Sequence, residues 1–251
     1  MTMNMRFIVE RGAWLLGLVA ILVGAPGCVF HPGGETPAPA VADLPLMVYP
    51  PPPPQDTTPT TDDTLVVMLS GDGGWAGLDK AVGQSLARAG YPVIGWDSLR
   101  YYWHVNDPAR AAADLDRVIQ TYRRRWHRSR VVLIGYSRGA DVMPFLYNRL
   151  PAATQAHVQR IVLLGLASHI TFGYHLLSWI GLGPEGRAVM PEARRLPAAR
   201  TSCLYGVTDP QAICDELVAA GFDVAGLPGG HHFDRRYADL AERLIKRITA
   251  R

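Results

Sequence analysis

Residues 131–141 read VVLIGYSRGAD, in which an apolar run leads directly into Gly135-Tyr136-Ser137-Arg138-Gly139. This pentapeptide has the G-x-S-x-G form of a nucleophile elbow, a sharp turn that presents a serine hydroxyl between a strand and a helix. Glycine is expected at both ends because such a turn leaves no space for side chains there. The N-terminus of the following helix favours developing negative charge. We therefore predict that Ser137 is a nucleophile, and a glycine-rich structural turn is the alternative.

Short apolar runs alternate with helical patterns on both sides of this turn. A helix is predicted to begin at Asp107-Pro108, because aspartate is a preferred N-cap and proline fits the first helical position. The last helix has Asp234 as its predicted cap and carries a single apolar stripe. Six runs are predicted as strands, at residues 65–69, 92–96, 131–136, 161–166, 202–205 and 222–227. This alternation predicts an α/β fold, with a mostly parallel, twisted sheet covered by helices on both faces.

A serine nucleophile requires a general base, which in a parallel sheet should follow the carboxyl end of a strand. The sequence Gly-Gly-His-His-Phe at residues 229–233 lies between the last predicted strand and the last helix. We predict His231 as the base, since it directly follows the glycine turn. His232 is then expected to support the loop or the substrate pocket.

The carboxylate that orients the base is expected after the preceding strand. Asp209 lies just past the strand predicted at residues 202–205, where it can hold the imidazole in the required tautomer. Asp215 is the second candidate, and a helix cap is the structural alternative for Asp209. The chain order Ser137, Asp209, His231 is that of the α/β-hydrolase fold, which we therefore predict.

The first predicted strand is followed by Ser-Gly-Asp-Gly-Gly-Trp at residues 70–75. Small residues allow backbone N–H groups to approach a tetrahedral intermediate closely. We predict that the amide of Arg138 and the amide of Asp72 or Gly73 form the oxyanion hole. Trp75 is assigned to substrate binding. A phosphate-binding loop is the alternative, but the Gly-Lys-Ser/Thr sequence of such loops is missing here.

The N-terminal residues have the pattern of an export signal. Arg6 and Arg11 precede an apolar stretch at residues 13–27, which has about the length of a signal-peptide core. We predict a signal peptide over residues 1–27, with Cys28 as a lipidated mature N-terminus and a membrane-anchored protein in the periplasm. Ordinary signal-peptidase cleavage nearby is the alternative.

Residues 28–61 are rich in Pro, Ala and Thr, which predicts a disordered linker. The folded domain is then expected to cover residues 62–251. The net charge of +3 is too small to indicate a nucleic-acid partner. The sequence contains no dinucleotide-binding fingerprint and no cluster of metal ligands, so we predict neither cofactor nor metal.

Two cysteines of the domain lie close in sequence, and export would place them in an oxidising compartment. We predict a disulfide between Cys203 and Cys214. The alternative is a buried, apolar Cys203 with an unpaired thiol at Cys214. A bridge at these positions would span the loop that carries Asp209.

Four separated motifs lie at residues 70–75, 97–103, 135–142 and 228–234. Together they resemble the family of the bacterial virulence protein VirJ and its relative AcvB. The resemblance implies a triad of Ser137, Asp209 and a histidine at position 231 or 232, with residues 71–74 as the wall of the oxyanion hole. It also implies a periplasmic protein associated with type IV secretion and virulence, and a hydrolase of lysyl-phosphatidylglycerol.

The resemblance leads to expectations about the substrate. A cationic aminoacyl group would require a nearby carboxylate, and we expect Asp72 or Asp97 to supply it, although Asp97 could instead anchor Arg100. The apolar, aromatic segment at residues 169–195 is expected to lie over the site as a small cap, or else to be a buried helix. Arg138 departs from the apolar residue expected after the serine. The alternative functions are a secretion-system partner with little or no catalysis, and an esterase for a small or cell-wall ester.

Overall fold

The computed structural model describes residues 36–52, 63–174 and 186–249, which form one α/β domain. Strands of these residues form a seven-stranded sheet in the spatial order β1-β3-β2-β4-β5-β8-β9, and β6 and β7 pair separately. The strands are β1 (Leu46–Tyr49), β2 (Thr64–Leu69), β3 (Val93–Trp96), β4 (Arg130–Tyr136), β5 (Val158–Leu164), β6 (His169–Ile170), β7 (Arg187–Ala188), β8 (Thr201–Gly206) and β9 (Asp223–Leu227).

The sheet is parallel from β3 to β9, and only β1 runs antiparallel to its neighbour. Leu69 lies opposite Gly135, and Tyr136 lies opposite Leu164, so the C-terminal ends of the central strands meet at one edge. The side chains of β2 are fully buried, as expected for a strand covered on both faces. The predicted fold class, a mostly parallel sheet with helices on both faces, is confirmed.

Helices cover both faces of the sheet. The apolar stripes of α1 (Gly77–Arg88) and α7 (Tyr237–Thr249) lie in one buried cluster, and those of α3 (Pro108–Arg125) and α4 (Arg138–Tyr147) lie in the other. Asp107 caps α3 as predicted, because its Oδ1 accepts a 2.9 Å hydrogen bond from the amide of Ala109. The helices are α1 (Gly77–Arg88), α2 (Ser98–Tyr102), α3 (Pro108–Arg125), α4 (Arg138–Tyr147), α5 (Ala152–Gln155), α6 (Met190–Ala193) and α7 (Tyr237–Thr249).

The predicted linker contains an ordered strand, and this part of the prediction is wrong. Strand β1 pairs with β3 and is buried along its length. Asp43 pairs with Arg117 of α3 at 2.8 Å, and the amide of Ala38 donates to the hydroxyl of Tyr122 at 3.0 Å. The surrounding prolines hid this strand from composition-based reasoning, although proline is compatible with the ends of edge strands. The domain therefore begins before residue 62.

Most strand boundaries differ from the sequence prediction by one or two residues, and the starts of β5 and of the last helix need an account. Strand β5 begins at Val158, three residues before the predicted start. Asp234 does not cap the last helix, because it has a positive φ of 49° inside a 3₁₀ turn that precedes α7. The turn separates the histidine loop from the helix, so that α7 begins only at Tyr237.

Several predictions fall wholly or partly outside the described residues. The signal peptide at residues 1–27 and Cys28 lie outside them, as do Leu176, Leu177, Trp179 and Ile180 of the expected cap. The described part of that cap contains the β6–β7 pair and α6. No helix in the described ranges is both long and apolar enough to cross a membrane.

Candidate active site

Ser137 occupies a strained turn between β4 and α4. Its φ of 51° is positive, which is uncommon for a residue with a side chain. A Cβ atom on Gly135 would lie 2.3 Å from the carbonyl oxygen of Gly139, and one on Gly139 would lie 2.2 Å from that of Leu69. The turn therefore requires glycine at both positions, because the backbone passes where a methyl group would be. It places the serine at the C-terminal edge of the sheet.

The hydroxyl of Ser137 is the end of a chain of two hydrogen bonds. His231 Nε2 lies 2.8 Å from Ser137 Oγ, and His231 Nδ1 lies 2.6 Å from Asp209 Oδ2. Because a carboxylate only accepts, Nδ1 carries the proton and Nε2 accepts from the serine hydroxyl. The Asp209 side chain is 2% exposed, whereas that of His231 is 27% exposed. The structure thus brings together the three side chains selected from the sequence, in the geometry of a base oriented by a buried carboxylate.

A disulfide closes the loop that carries Asp209. Cys203, within β8, is bonded to Cys214, which confirms the predicted pairing. Asp215, the second candidate for the acid, is engaged elsewhere, since its carboxylate accepts a 2.8 Å hydrogen bond from Tyr205 in an exposed position. The bridge joins both ends of the Asp209 loop and so restricts the positions that the carboxylate can take.

The loop after β2 lies against the nucleophile. A Cβ atom on Gly71 would be 3.2 Å from the Cβ atom of Ser137, so the loop backbone approaches the serine closely. No backbone hydrogen bond within the described residues engages the amides of Asp72 and Gly73. The amide of Arg138 lies in the first turn of α4, where N–H groups have no partner within the helix. The Arg138 amide thus adjoins the serine, and the Asp72 and Gly73 amides lie in the loop whose backbone at Gly71 approaches it.

The Arg138 side chain connects the catalytic turn to the segment after β6. It is nearly buried and forms an ion pair with Asp72. Its Nη1 donates to the carbonyl oxygen of Thr171 at 2.9 Å, and its guanidinium carbon lies 4.4 Å from the ring centroid of Tyr174. The Tyr174 hydroxyl donates to Asp72 Oδ1 at 2.8 Å. These partners account for an arginine after the serine. Arg138 and Tyr174 both bind Oδ1 of Asp72, the carboxylate that was expected to bind substrate.

Two residues assigned to substrate binding have structural positions instead. Trp75 is buried beneath the loop and donates to the Tyr49 hydroxyl at 3.1 Å, while its ring occupies the space above Gly95. Asp97 is the N-cap of α2, where its Oδ1 accepts from the amide of Arg100 at 3.0 Å. Neither side chain lines a cleft beside Ser137. Both assignments are corrected, because groups within the protein already form hydrogen bonds with the Trp75 N–H and the Asp97 carboxylate.

Among the described residues, Ser137 and His231 lie between two clefts. The first has a volume of about 650 Å³ and the second about 580 Å³. The clefts adjoin at Ser137, so the serine can hold the acyl part of an ester on one side and the alcohol part on the other. The first cleft is lined by the Gly71–Gly74 loop, Asp79, Tyr136, His232, Arg235 and Tyr237, and the second by Leu99, Trp103, Asp141, Ile170 and Tyr174.

His232 lies in the first cleft, where the sequence placed it in a supporting role. Its Nδ1 is 2.7 Å from the hydroxyl of Tyr136. Burial raises the pKa of Tyr136, so the phenol keeps its proton and can donate to the imidazole. His232 therefore pairs with Tyr136, while His231 alone reaches Ser137 and Asp209.

Asp79 is a carboxylate of the first cleft that sequence reasoning missed. It lies in the first turn of α1 and is 3% exposed. Its Oδ1 has no hydrogen-bond partner within the described ranges. Burial raises its pKa to about 8, despite hydrogen bonding with its own backbone and that of Gly71, which lowers it. The available signal was its position on the apolar face of α1, one turn from Val82 and two from Leu86.

A second buried carboxylate, Asp141, lies behind the nucleophile. Its Oδ1 accepts a 2.7 Å hydrogen bond from the amide of Ala167, which ties α4 to the loop after β5. Burial raises its pKa to about 7. This contact gives Asp141, in the first turn of α4, a structural role. No group of three His, Cys, Asp or Glu side chains in the described part of the chain is placed to bind a metal.

Comparison with known proteins identifies both a family and a fold. Residues 63–251 match the family model described as bacterial virulence protein (VirJ), whereas curated proteins give no match. Est1E from Butyrivibrio proteoclasticus is similar in structure, with a TM-score of 0.56 and 14% identity over 82% of this chain and 96% of that chain. The Pyrococcus furiosus esterase Pf2001 has a TM-score of 0.55 and 13% identity over 75% and 82% of the two chains.

A third similar structure is XC6422 from Xanthomonas campestris, described as a member of the α/β serine hydrolases without a lid. Its TM-score is 0.51 and its identity is 16%, over 81% of this chain and 87% of that chain. At such identities the similarity establishes the α/β-hydrolase fold, and it does not transfer an activity.

Proposed function

Because the chain belongs to the bacterial virulence protein (VirJ) family and has the α/β-hydrolase fold, we propose that it is a serine hydrolase that cleaves a carboxylic ester. The observation that carries the proposal is the hydrogen-bonded chain from Ser137 through His231 to Asp209, with distances of 2.8 and 2.6 Å. A serine paired with a base, and a base oriented by a buried carboxylate, is the arrangement that activates a hydroxyl for attack on an acyl carbon.

The reaction proceeds through an acyl-enzyme. His231 removes the proton from Ser137 Oγ as this oxygen attacks the carbonyl carbon, and Asp209 stabilises the imidazolium that forms. The amides of Arg138 and of Asp72 or Gly73 donate to the oxyanion. The tetrahedral intermediate collapses when His231 gives its proton to the leaving alcohol. Water, activated by the same histidine, then releases the acid and regenerates the serine.

We propose the aminoacyl ester of lysyl-phosphatidylglycerol as the substrate. Attack on the lysyl carbonyl leaves a lysyl-enzyme and releases phosphatidylglycerol, and hydrolysis then releases lysine. The two clefts beside Ser137 support a substrate with two dissimilar parts, a cationic acyl group and a phosphodiester head group. Other candidates of the same reaction class are small-molecule and cell-wall esters.

We also propose that the enzyme acts in the periplasm and is held at a membrane through a lipidated Cys28. The Cys203–Cys214 bridge supports an oxidising compartment. Incorporation of a labelled fatty acid into the protein, and its loss in Cys28→Ser, tests the anchor. Export with an unlabelled, cleaved N-terminus would instead support ordinary signal-peptide processing.

The second candidate function is that of a secretion-system partner with little or no catalysis. The observation that favours it is the description of the family as a virulence protein, which names no reaction. Such a partner would bind the proteins of a type IV secretion machine through its surface. Its phenotype would then survive replacement of Ser137.

Hydrolysis of lysyl-phosphatidylglycerol vesicles and of a p-nitrophenyl ester by the purified chain and by Ser137→Ala tests these proposals. Ser85→Ala, on α1 and outside both clefts, is the matched control. We expect lysine release that depends on Ser137 and is unaffected in the control. Turnover of the simple ester alone would retain the serine mechanism and reject the lipid substrate. No turnover of either would favour the secretion partner.

A further inference from the structure

We propose that Asp79 binds the α-ammonium group of an aminoacyl ester in the first cleft. This inference rests on the proposed hydrolase function and deepens it, since it names the group by which the acyl part is recognised. It also replaces Asp72 and Asp97, the two carboxylates that the sequence suggested for this role.

The partners of the carboxylates around the nucleophile single out Asp79. Asp72 is paired with Arg138 and accepts from Tyr174. Asp141 accepts from the amide of Ala167 at 2.7 Å. Of the carboxylates that line either cleft in the described ranges, Asp79 alone has a buried oxygen without a partner.

Burial of this carboxylate requires a compensating group. Asp79 is 3% exposed, and an ionised, buried carboxylate without a donor is so unfavourable that the side chain keeps its proton while the cleft is empty. Binding of a cation favours the ionised form, and the proton is then released to solvent. A ligand that brings N–H donors and a positive charge forms the charge-assisted hydrogen bonds that remove this cost. The ligand class that fits is therefore a protonated amine, and the cleft that Asp79 lines also contains Ser137 and His231.

The position of Asp79 selects the amine next to the scissile carbonyl. Its carboxyl group interacts with the backbone of Gly71. A Cβ atom on Gly71 would in turn lie 3.2 Å from the Cβ atom of Ser137. The carboxylate is thus separated from the nucleophile by a single residue of the loop. An α-ammonium is attached to the carbon next to the carbonyl, whereas the ammonium of a lysine side chain is four carbons further away.

Three ethyl esters with the same carbon chain test the inference, namely those of hexanoic acid, 2-aminohexanoic acid and 6-aminohexanoic acid. Each is assayed for kcat/KM with the wild-type chain, with Asp79→Asn and with Asp215→Asn, which makes the same chemical change outside both clefts. In Asp79→Asn we expect the ratio of 2-aminohexanoate to hexanoate to fall at least tenfold. The ratio of 6-aminohexanoate to hexanoate should change less than threefold, and Asp215→Asn should change neither ratio.

Calorimetry tests recognition of the α-ammonium group independently of catalysis. It measures the binding of three amides, namely 2-aminohexanamide, 6-aminohexanamide and hexanamide. The wild-type chain should bind 2-aminohexanamide at least tenfold more tightly than the other two, and this measurement needs no folded variant. Such binding without turnover of any ester would support Asp79 as the ammonium site and reject the hydrolase. Equal binding of the three amides would overturn the inference, as would an unchanged ester ratio in Asp79→Asn or a larger loss for 6-aminohexanoate.

Discussion

Replacing Asp79 by asparagine changes how the stability of the protein depends on pH. Burial raises the pKa of the Asp79 carboxyl group from 3.8 to about 8, and the residue is 3% exposed. At pH values between these two, the folded protein holds a proton that the unfolded chain releases. The free energy of unfolding therefore falls as the pH rises through this range, and the fall ends above pH 8, where both states are ionised. The nearby charge of Asp97 acts in the same direction as burial.

The size of this effect follows from the pKa difference. Each pH unit within the range corresponds to about 1.4 kcal/mol. Between pH 5 and pH 8 the Asp79 carboxyl group should lower the free energy of unfolding by about 4 kcal/mol. Asparagine does not titrate, so the stability of Asp79→Asn relative to the wild type should increase by that amount. Asp141, whose pKa burial raises to about 7, titrates in both proteins and cancels in the difference.

Urea unfolding, followed by tryptophan fluorescence with the disulfide intact, measures the difference at four pH values from about 5 to about 8. Asp239→Asn is the control, because Asp239 is exposed on α7 and pairs only with Arg236 within the described residues. Its difference from the wild type should stay nearly constant. A constant difference for Asp79→Asn as well would refute the reasoning, since it would mean that the folded protein does not hold the proton.

Three further predictions concern the catalytic turn and its supports. Gly139→Ala should lower the free energy of unfolding by at least about 3 kcal/mol, because the added methyl group would lie 2.2 Å from the carbonyl oxygen of Leu69; an unchanged urea midpoint would contradict the geometry of the turn. Replacing both Cys203 and Cys214 by serine should lower the free energy of unfolding by about 3 kcal/mol, because the loop is no longer closed in the unfolded chain. The replacement should also lower kcat, and an unchanged kcat would show that the bridge does not position Asp209. Asp209→Asn should lower kcat for a simple ester by about 10³- to 10⁴-fold with little change in KM, and wild-type kcat would exclude Asp209 as the orienting acid.

Local sterics made the catalytic turn recognisable from the sequence. Glycine at positions 135 and 139 reflects contacts with backbone that lies in the turn itself or in the adjacent strand. The apolar runs and amphipathic helices were identified because strands buried on both faces and helices buried on one face have distinct periodicities. Together with the parallel topology, these patterns placed Ser137, Asp209 and His231 after three strands, where the structure brings their side chains together.

The same reasoning could not predict which hydrogen-bond and ion-pair partners the side chains around the site would have. The glycine-rich loop offered Asp72 and Trp75 as substrate contacts, but the first pairs with Arg138 and the second packs beneath the loop. Asp79 looked like an ordinary first-turn helix residue, yet its Oδ1 is a buried carboxylate oxygen of the cleft with no partner among the described residues. These outcomes depend on residues distant in sequence, as the hydrogen bond from Trp75 to Tyr49 illustrates.

The sequence by itself determined the fold class, the nucleophile turn and the order of the candidate triad, because each depends on short-range sterics and on the period of apolar residues. The tertiary structure alone decided that residues 46–49 complete the sheet and that His231 rather than His232 reaches Ser137. It also decided that Oδ1 of Asp79 is buried with no partner among the described residues. The physical reason is that burial and hydrogen-bond pairing belong to a site assembled from several strands and loops. A carboxylate on a helix has the same local sequence whether or not a distant arginine neutralises it.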